Sequence, residues 1–265
     1  MTDYKNILEV QNLSVHFGQA DGLVRAVDDI SFSIGRGETV ALVGESGSGK
    51  SISALSITKL APRAARYADG KILFNGQDML TLSDARLRKI RGSRISYIFQ
   101  EPMASLNPVF TIRWQIEEAL KLHQKGINRK AEVSRLLNLV HLPERISAAY
   151  PHQVSGGQLQ RCMIAMALAC SPELLVADEP TTALDVTVQR EILNLLAELR
   201  EKVGLSTLMI THNFGIVADL AERVYVMQKG KLVEQGTTKQ VLYNPQHEYT
   251  RKLMAAVPRL HPLAS

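Results

Sequence analysis

The stretch Gly44-Glu45-Ser46-Gly47-Ser48-Gly49-Lys50-Ser51 decides how this chain is interpreted. It follows the continuous apolar run Thr39–Val43, which predicts a strand buried on both faces, and it opens a helix predicted over residues 50–60. Glycines let backbone N–H groups converge on phosphate oxygens, and a helix N-terminus adds partial positive charge. Lys50 supplies a full charge for the β- and γ-phosphates, and the Ser51 hydroxyl can bind Mg²⁺. The stretch therefore predicts a loop that holds a nucleoside triphosphate.

The composition of the chain is that of an ordinary globular protein. Its 265 residues are 45% hydrophobic and 22% charged, which excludes the disordered, collagen-like and disulfide-rich classes. The net charge of +5 is spread along the chain, and no basic run is interleaved with aromatic residues, so no nucleic-acid partner is expected. The two cysteines, Cys162 and Cys170, have no Cys-x-x-Cys spacing and fit a reducing compartment.

The sequence predicts no membrane-crossing segment. The first residues lack the apolar core of a signal peptide, and the most apolar run, residues 162–170, is too short to span a bilayer. A membrane process would therefore need its membrane part from another chain.

Short β-type runs alternate with helical stretches, which is typical of an α/β protein with a mostly parallel sheet. Residues 7–15 and 27–34 alternate apolar and polar side chains, so we expect two half-exposed strands that pair antiparallel at an edge. Further strands are expected at 95–99, 174–177 and 207–210, and further helices at 114–122, 129–140, 158–169, 186–202 and 214–221.

Residues 100–151 follow a strand but are helical in pattern, which predicts a helical subdomain inserted into the sheet domain. The nucleotide-binding core then comprises residues 1–99 and 152–236. Residues 237–265 are short and helical and contain three prolines, so they predict a C-terminal appendage and not a further domain.

Two acidic residues, Asp178 and Glu179, follow the predicted strand 174–177. The carboxyl end of a parallel strand lies at the edge where open α/β sheets bind ligands. There Asp178 would hold Mg²⁺, and Glu179 would orient or deprotonate the attacking water. An acid after a strand is often a helix cap instead, but the phosphate loop upstream favours the catalytic interpretation.

A second glycine-bearing turn, Ser155-Gly156-Gly157-Gln158, precedes another predicted helix. Ser155 suits a helix cap, and two glycines at a helix start allow a second anion site. The turn is therefore either a plain capped helix start or a second phosphate cradle. Such a cradle would bind the same nucleotide from across, or a nucleotide held by another copy.

Together these motifs resemble the ATP-binding subunits of ABC transporters, in the family's order and over nearly the whole chain. Residues 44–51 are similar to the Walker A motif, residues 154–158 to the signature motif, and Asp178 with Glu179 to Walker B and its catalytic glutamate. The resemblance assigns Gln100 to the Q-loop, Ala183-Leu184-Asp185 to the D-loop, His212 to the switch histidine and Phe17 to the adenine-stacking aromatic. A core aromatic is the alternative for Phe17. Two departures, Val154 for leucine and Asn213 for aspartate, leave the signature glycines and the histidine in place.

A narrower resemblance links residues 99–108, 177–186 and 244–253 to the branch that imports oligopeptides, dipeptides, glutathione or nickel. Some members of that branch bind an iron–sulfur cluster through a cysteine-rich extension, which is not expected here because no cysteine follows Cys170. Other members are two fused ATPase halves, and this chain resembles a first half as well as a separate subunit.

The resemblance implies an ATPase that drives an importer, with two ATP-binding domains facing head to tail. Each ATP, with Mg²⁺, would lie between Walker A of one copy and the signature motif of the other, and hydrolysis would let the pair separate. Glu179 would be the base, His212 would contact the γ-phosphate, and Gln100 would join Ser51 and Asp178 around the metal.

The implied partners are a second ATP-binding domain, two membrane permease subunits and a substrate-binding protein. The second domain would be an identical copy, a paralogue or a fused half. The location implied is peripheral, at the cytoplasmic face of the inner membrane.

Two other functions are weighed against transport. A non-transport ABC ATPase of repair, translation or chromosome organisation would be expected to carry a zinc module, a long coiled coil or a second cassette, and the sequence shows none. A nucleotide-binding regulator without turnover is disfavoured by the presence of both Glu179 and His212. The cargo itself is not specified by the sequence.

Overall fold

The computed structural model describes residues 5–19, 22–182 and 184–256. The strands are β1 (Asn6–Gln19), β2 (Gly22–Gly35), β3 (Thr39–Val43), β4 (Ala65–Phe74), β5 (Gln77–Asp78), β6 (Ile95–Ile98), β7 (Leu174–Asp178), β8 (Ser206–Thr211), β9 (Arg223–Gln228) and β10 (Lys231–Thr237). The α-helices are α1 (Lys50–Ser56), α2 (Asp84–Ile90), α3 (Pro102–Ser105), α4 (Ile112–His123), α5 (Arg129–Leu139), α6 (Gly156–Leu168), α7 (Val186–Val203), α8 (Phe214–Leu220), α9 (Thr238–Tyr243) and α10 (Glu248–Ala256). Short 3₁₀ helices occupy Met79–Thr81, Glu144–Ala148 and Pro151–Gln153.

The chain divides into two compact units. The first comprises Met1–Leu82 and Ser206–Ser265, and the second comprises Ser83–Leu205. The expected limits of the helical insert, at about residues 100 and 151, lie inside the second unit, so that finer subdivision stays a prediction.

The first unit contains two groups of strands. In the first group β2, β1, β4 and β5 form an antiparallel sheet in that order. In the second group β3 is parallel to both β8 and β9, and β10 is antiparallel to β9. The predicted antiparallel pairing of residues 7–15 with 27–34 is therefore confirmed, and it belongs to a sheet separate from the parallel strands.

The core of the first unit forms around β3, which is buried at all five residues, as its apolar run predicts. Strands β3 and β9 pack with helices α8, α9 and α10 in one buried apolar cluster: Ala41, Val43, Phe214, Val217, Val224, Val226, Val241 and Tyr249. The C-terminal helices are thus part of the packing behind the strand that leads into the phosphate loop.

The second unit combines one parallel strand pair with helices. β6 pairs with β7 in parallel, with Ile95 opposite Leu174, and helices α4, α5 and α6 pack on one another. Helices α4 to α8 lie where the sequence predicts them, with ends that differ by one or two residues.

Helix α1 is shorter than predicted. It ends at Ser56, followed by turns, whereas the apolar pattern continues to residue 60. Lys59 has φ +54°, a left-handed conformation that no helix can continue, and Pro62 follows shortly after. The expectation of a helix over 50–60 is therefore wrong for its last turn.

The strands β4, β5, β9 and β10 and the short helices α2 and α3 are not indicated by the sequence pattern. β9 and β10 form a hairpin whose two turn residues, Lys229 and Gly230, both have positive φ values of 46° and 84°. That geometry matches the two-residue turns that join antiparallel strands, and lysine is a rare residue at its first position. The helical tail is confirmed up to residue 256, and no helix in the described part of the chain is long and apolar enough to cross a membrane.

Candidate nucleotide-binding site

The phosphate loop of the first unit is shaped by two glycines. Gly44 follows β3 with φ +156°, and a Cβ there would overlap the carbonyl oxygen of Met227 and lie 2.8 Å from the Ser48 hydroxyl. Gly49 has φ +106°, and a Cβ there would overlap the carbonyl oxygen of Ala26. Because backbone atoms occupy both places, the tight path of the loop depends on glycine at both positions.

Lys50 is buried within the loop that precedes it. Lys50 is 5% exposed. Its ammonium donates to the carbonyl oxygens of Gly44 and Glu45, each at 2.8 Å, and to the Ser48 hydroxyl at 3.4 Å. Buried ammonium groups need such hydrogen bonds, since burial without them is costly. The positive charge that the motif predicts therefore lies inside the loop.

His212 follows a strand next to the one that leads into the phosphate loop. β8 is parallel to β3 with Thr211 opposite Val43, so His212 and Gly44 are each the first residue beyond that pair. The structure therefore brings the predicted histidine to the same sheet edge as the loop. Asn213, the departure from aspartate, caps α8 through its side-chain oxygen.

Phe17 lies in β1 of the same unit, half-buried, opposite Val24 of β2 and Ala65 of β4. Two residues further along β2, the carbonyl of Ala26 lies against Gly49 of the phosphate loop. The predicted adenine-stacking ring is thus on the strand beside the one that contacts the loop.

A contact that the sequence pattern does not indicate joins the C-terminal region to the phosphate loop. The backbone N–H of Glu45 donates to the hydroxyl of Tyr249, in α10, at 3.0 Å. Tyr249 is 7% exposed, and burial raises the pKa of its phenol. Glu45 therefore has its N–H engaged by the protein itself, and its place among the nucleotide-binding residues stays a prediction.

The acidic pair of the second unit follows β7, as predicted. Asp178 is the last residue of the strand, and Glu179 has φ +47°, a left-handed conformation that is uncommon outside glycine. The Glu179 carboxylate accepts hydrogen bonds from the Gln100 amide at 3.1 Å and from the Thr182 hydroxyl at 2.8 Å. The two residues predicted to handle the attacking water and the metal are therefore in contact, and strained backbone of this kind is typical of functional sites.

The second glycine-bearing turn of the chain is a capped helix start. The Ser155 hydroxyl accepts the N–H of Gln158 at 3.3 Å, and the Gln158 side chain accepts the N–H of Ser155 at 3.1 Å, which is a capping box. A Cβ at Gly157 would lie 2.6 Å from the Val188 side chain, and one at Gly156 would lie in ordinary contact. The capping that the sequence allowed is present, and binding of a partner's ATP here stays a prediction.

The predicted D-loop leads into α7. The Asp185 carboxylate caps this helix by accepting the N–H of Val188 at 3.0 Å. Ala183 lies outside the described residues. Asp185 therefore has a structural role of its own, next to the one that the resemblance implies.

The predicted magnesium residues belong to both units. Ser51 is exposed on the first turn of α1 in the first unit, whereas Asp178 and Gln100 belong to the second. In the described ranges no three His, Cys, Asp or Glu side chains group closely enough to hold a metal by themselves. A hydroxyl and a single carboxylate suit Mg²⁺, which is usually bound by one or two protein oxygens together with substrate phosphates and water.

Two family models match the chain. The model described as "ABC transporter" matches residues 27–182, more than half of the chain, and the model described as "Oligopeptide/dipeptide transporter, C-terminal region" matches residues 233–265. The first match covers the phosphate loop, the Gln100–Glu179 contact and the signature turn, and the second covers α9 and α10.

Curated relatives match almost the whole chain. It is 56% identical to the peptidoglycan transport ATP-binding protein YejF of Agrobacterium fabrum, over 98% of this chain and 49% of that protein. It is 50% identical to the dipeptide transport ATP-binding protein DppD of Bacillus subtilis, over 97% of this chain and 78% of that protein. The chain thus spans about half the length of one of these relatives and most of the other.

A solved structure matches the fold. It is described as a dimeric post-hydrolysis state of the ATP-binding cassette MJ0796 bound to ADP and Pi, and it aligns with a TM-score of 0.78 at 29% identity over 87% of this chain and 98% of that one. The α/β fold of ABC ATPases predicted from the motifs is therefore confirmed, and the chain belongs to the ABC transporter family.

Proposed function

We propose that this chain is the ATP-hydrolysing subunit of an importer for peptides or a related small cargo. The observation that carries this proposal is the Glu179 carboxylate, held by Gln100 and Thr182 directly after the strand that ends in Asp178. A carboxylate in that position suits a general base for the water that attacks a γ-phosphate. The relatives named as dipeptide and peptidoglycan transport proteins support the choice of cargo class.

The residues of the phosphate loop bind the nucleotide in this proposal. The Lys50 ammonium, now bonded to two loop carbonyls and a hydroxyl, turns part of its hydrogen bonding to the β- and γ-phosphates. The backbone N–H groups from Ser46 to Ser51 surround the same phosphates, and Phe17 stacks on the adenine.

Magnesium belongs to the same proposal. Ser51 supplies a hydroxyl, Asp178 a carboxylate and Gln100 an amide oxygen, which are the hard oxygen ligands that Mg²⁺ prefers. When bound, the ion neutralises the charge that develops on the phosphate oxygens. Gln100 also holds Glu179 through its amide N–H, and His212 contacts the γ-phosphate.

The second ATP-binding domain is the first proposed partner. Val186, at the start of α7 directly after Asp185, is an apolar residue that is 82% exposed. Its place directly after the predicted D-loop suits a contact with another copy, a paralogue or a fused half. In that pair Ser155, Gly156, Gly157 and Gln158 would bind the ATP held by the other domain.

Membrane subunits and a substrate-binding protein are the remaining proposed partners. Four large apolar residues in the segment 99–114 of the second unit are more than 40% exposed: Phe99, Met103, Val109 and Trp114. They lie between the end of β6 and the first turn of α4, so we expect this surface to dock on a permease at the cytoplasmic face of the membrane. The cargo would then be chosen by the other subunits.

The test of this function is the Glu179→Gln variant. Losing the base should lower ATP turnover at least about 100-fold while ATP binding is retained and a dimer accumulates, because the phosphate contacts are untouched. Turnover is measured by phosphate release and the dimer by light scattering. The matched control is Glu201→Gln, an exposed glutamate of α7, which should behave as the wild type. An unchanged ATPase rate in Glu179→Gln would remove that residue from its role.

A further inference from the structure

The peptide unit between Gly44 and Glu45 connects the C-terminal helix to the phosphate-binding lysine. Its N–H donates to the Tyr249 hydroxyl at 3.0 Å, and its carbonyl oxygen accepts the Lys50 ammonium at 2.8 Å. A trans peptide is planar, with its N–H and C=O pointing in opposite directions, so fixing one end fixes the direction of the other. The phenol thus determines where the carbonyl that holds Lys50 points.

The peptide unit between Gly44 and Glu45 has little room to change its orientation. A Cβ at Gly44 would overlap the carbonyl oxygen of Met227, which shows how closely the loop passes the strand β9. Lys50 also donates to the carbonyl oxygen of Glu45, which belongs to the next peptide unit. Lys50 therefore holds both peptide units around Glu45, and Tyr249 holds the first of them as well. Hydrogen bonds in such a chain strengthen one another.

Tyr249 is itself held firmly in place. Its ring belongs to the buried cluster that includes Val43, the last residue of β3 before the loop, and Val226 of β9. Glu234 of β10 fixes the start of its helix, since its two carboxylate oxygens accept the N–H groups of Gln246 at 2.7 Å and His247 at 3.1 Å. Burial acts to raise the pKa of Glu234, but the hydrogen bonds that it accepts outweigh burial and lower it.

We propose that Tyr249 is a positioning residue for nucleotide binding, which acts through the Gly44–Glu45 peptide on Lys50. The C-terminal region then contributes to ATP affinity without touching the nucleotide. This inference rests on the proposed function, in which the phosphate loop binds ATP. It also gives the C-terminal region matched by the second family model a task inside the ATPase itself.

The decisive variant is Tyr249→Phe, which keeps the ring in its cluster and removes only the hydroxyl. Losing this one hydrogen bond should weaken ATP affinity about 3- to 10-fold in equilibrium dialysis. In the ATPase assay KM for ATP should rise by the same factor and kcat should change less, because Glu179 is untouched. The matched control is Tyr243→Phe, at an exposed tyrosine of the neighbouring helix α9, which should bind ATP as the wild type does.

A double-mutant cycle separates positioning from a general effect on stability. If Tyr249 acts through Lys50, the Tyr249→Phe change should alter affinity less than about 2-fold in a Lys50→Ala background. A loss of equal size in both backgrounds, or wild-type affinity in Tyr249→Phe, overturns the inference. Absence of ATP binding by the wild type would instead contradict the proposed function.

A second variant covers the case in which Tyr249→Phe does not fold. Glu234→Gln leaves the tyrosine intact but weakens the carboxylate contacts at the start of α10, and it should weaken ATP affinity about 2-fold. Wild-type ATP affinity in Glu234→Gln overturns the inference as well. In that case the melting temperature of the variant would differ from that of the wild type by the same amount with and without nucleotide.

Discussion

Two glycine-bearing turns open a helix in this chain, and they use glycine for different reasons. In the phosphate loop, Gly44 and Gly49 have positive φ values and lie against backbone carbonyls, and α1 begins without a side-chain cap. In the signature turn, Ser155 caps α6, and the glycine at position 157 makes room for the side chain of Val188. No side-chain cap engages the N–H groups at the start of α1, which suits a ligand there. At the start of α6, the N–H of Gln158 already donates to the Ser155 hydroxyl.

The difference shows what a local motif can and cannot predict. Both turns place glycine and serine ahead of a helix, so residue types alone allow an anion site at either turn, with a plain capped helix start as the alternative at the second. Only the phosphate loop also encloses a charged donor, Lys50, in its own carbonyls. The signature turn depends more on what faces it, which fits the proposal that it serves a nucleotide held by another domain.

The largest effect should come from Gly44→Ala. A Cβ there meets a backbone oxygen that cannot move away, so we expect a loss of more than about 3 kcal/mol in the free energy of unfolding. The measurement is urea unfolding followed by circular dichroism.

Gly47→Ala is the matched control for that comparison. Gly47 also has a positive φ, +78°, but no atom lies within 4 Å of the place where its Cβ would be. Alanine should therefore cost only the conformational strain, about 1 kcal/mol. Equal losses in the two variants would mean that steric contact with Met227 does not distinguish Gly44, and the first half of the comparison would be wrong.

A smaller effect, of about 2.7 kcal/mol in binding, is expected for Lys50→Ala. Removing the ammonium should weaken ATP affinity about 100-fold, since hydrogen bonds between charged groups contribute most. Equilibrium dialysis of the dilute, unpaired chain measures it. Lys239→Ala, at an exposed lysine of α9, is the control. Retained affinity in Lys50→Ala would contradict the assignment of the phosphate loop.

Much of the fold follows from the sequence where burial is strong. β3, β7 and β8 are predicted because their apolar runs are continuous, and their ends deliver Gly44, Glu179 and His212. β4 is less regular, because Gly70 has a positive φ inside it and the strand pairing is shifted there. A strand interrupted in this way lacks the alternation on which the prediction depends.

The candidate site is predicted in part for a similar reason. Gln100 and Glu179 are recognised by their motifs, and the structure brings them to 3.1 Å. The contact between Glu45 and Tyr249 joins residues 204 positions apart, and no local pattern indicates it. Only packing of α10 on the core reveals that a tyrosine of the tail reaches the phosphate loop.

The smallest effect should come from the signature turn, in Ser155→Ala. Losing the side-chain cap of α6 should cost about 1 kcal/mol in the free energy of unfolding, and it should leave ATP affinity of the dilute, unpaired chain unchanged. Urea unfolding and equilibrium dialysis on the same preparation measure both quantities.

Ser155→Asn separates the cap from the hydroxyl, because asparagine caps helices about as well as serine but is larger and carries an amide in place of the hydroxyl. The free energy of unfolding of Ser155→Asn should be within about 0.5 kcal/mol of the wild type. The ATPase activity of the paired domains should nevertheless fall below that of the wild type if the turn binds a partner's nucleotide. Full ATPase activity in Ser155→Asn, together with a loss only of stability in Ser155→Ala, would leave the turn as a capped helix start alone. In that case the two glycine-bearing turns would differ in function as well as in the reason for their glycines.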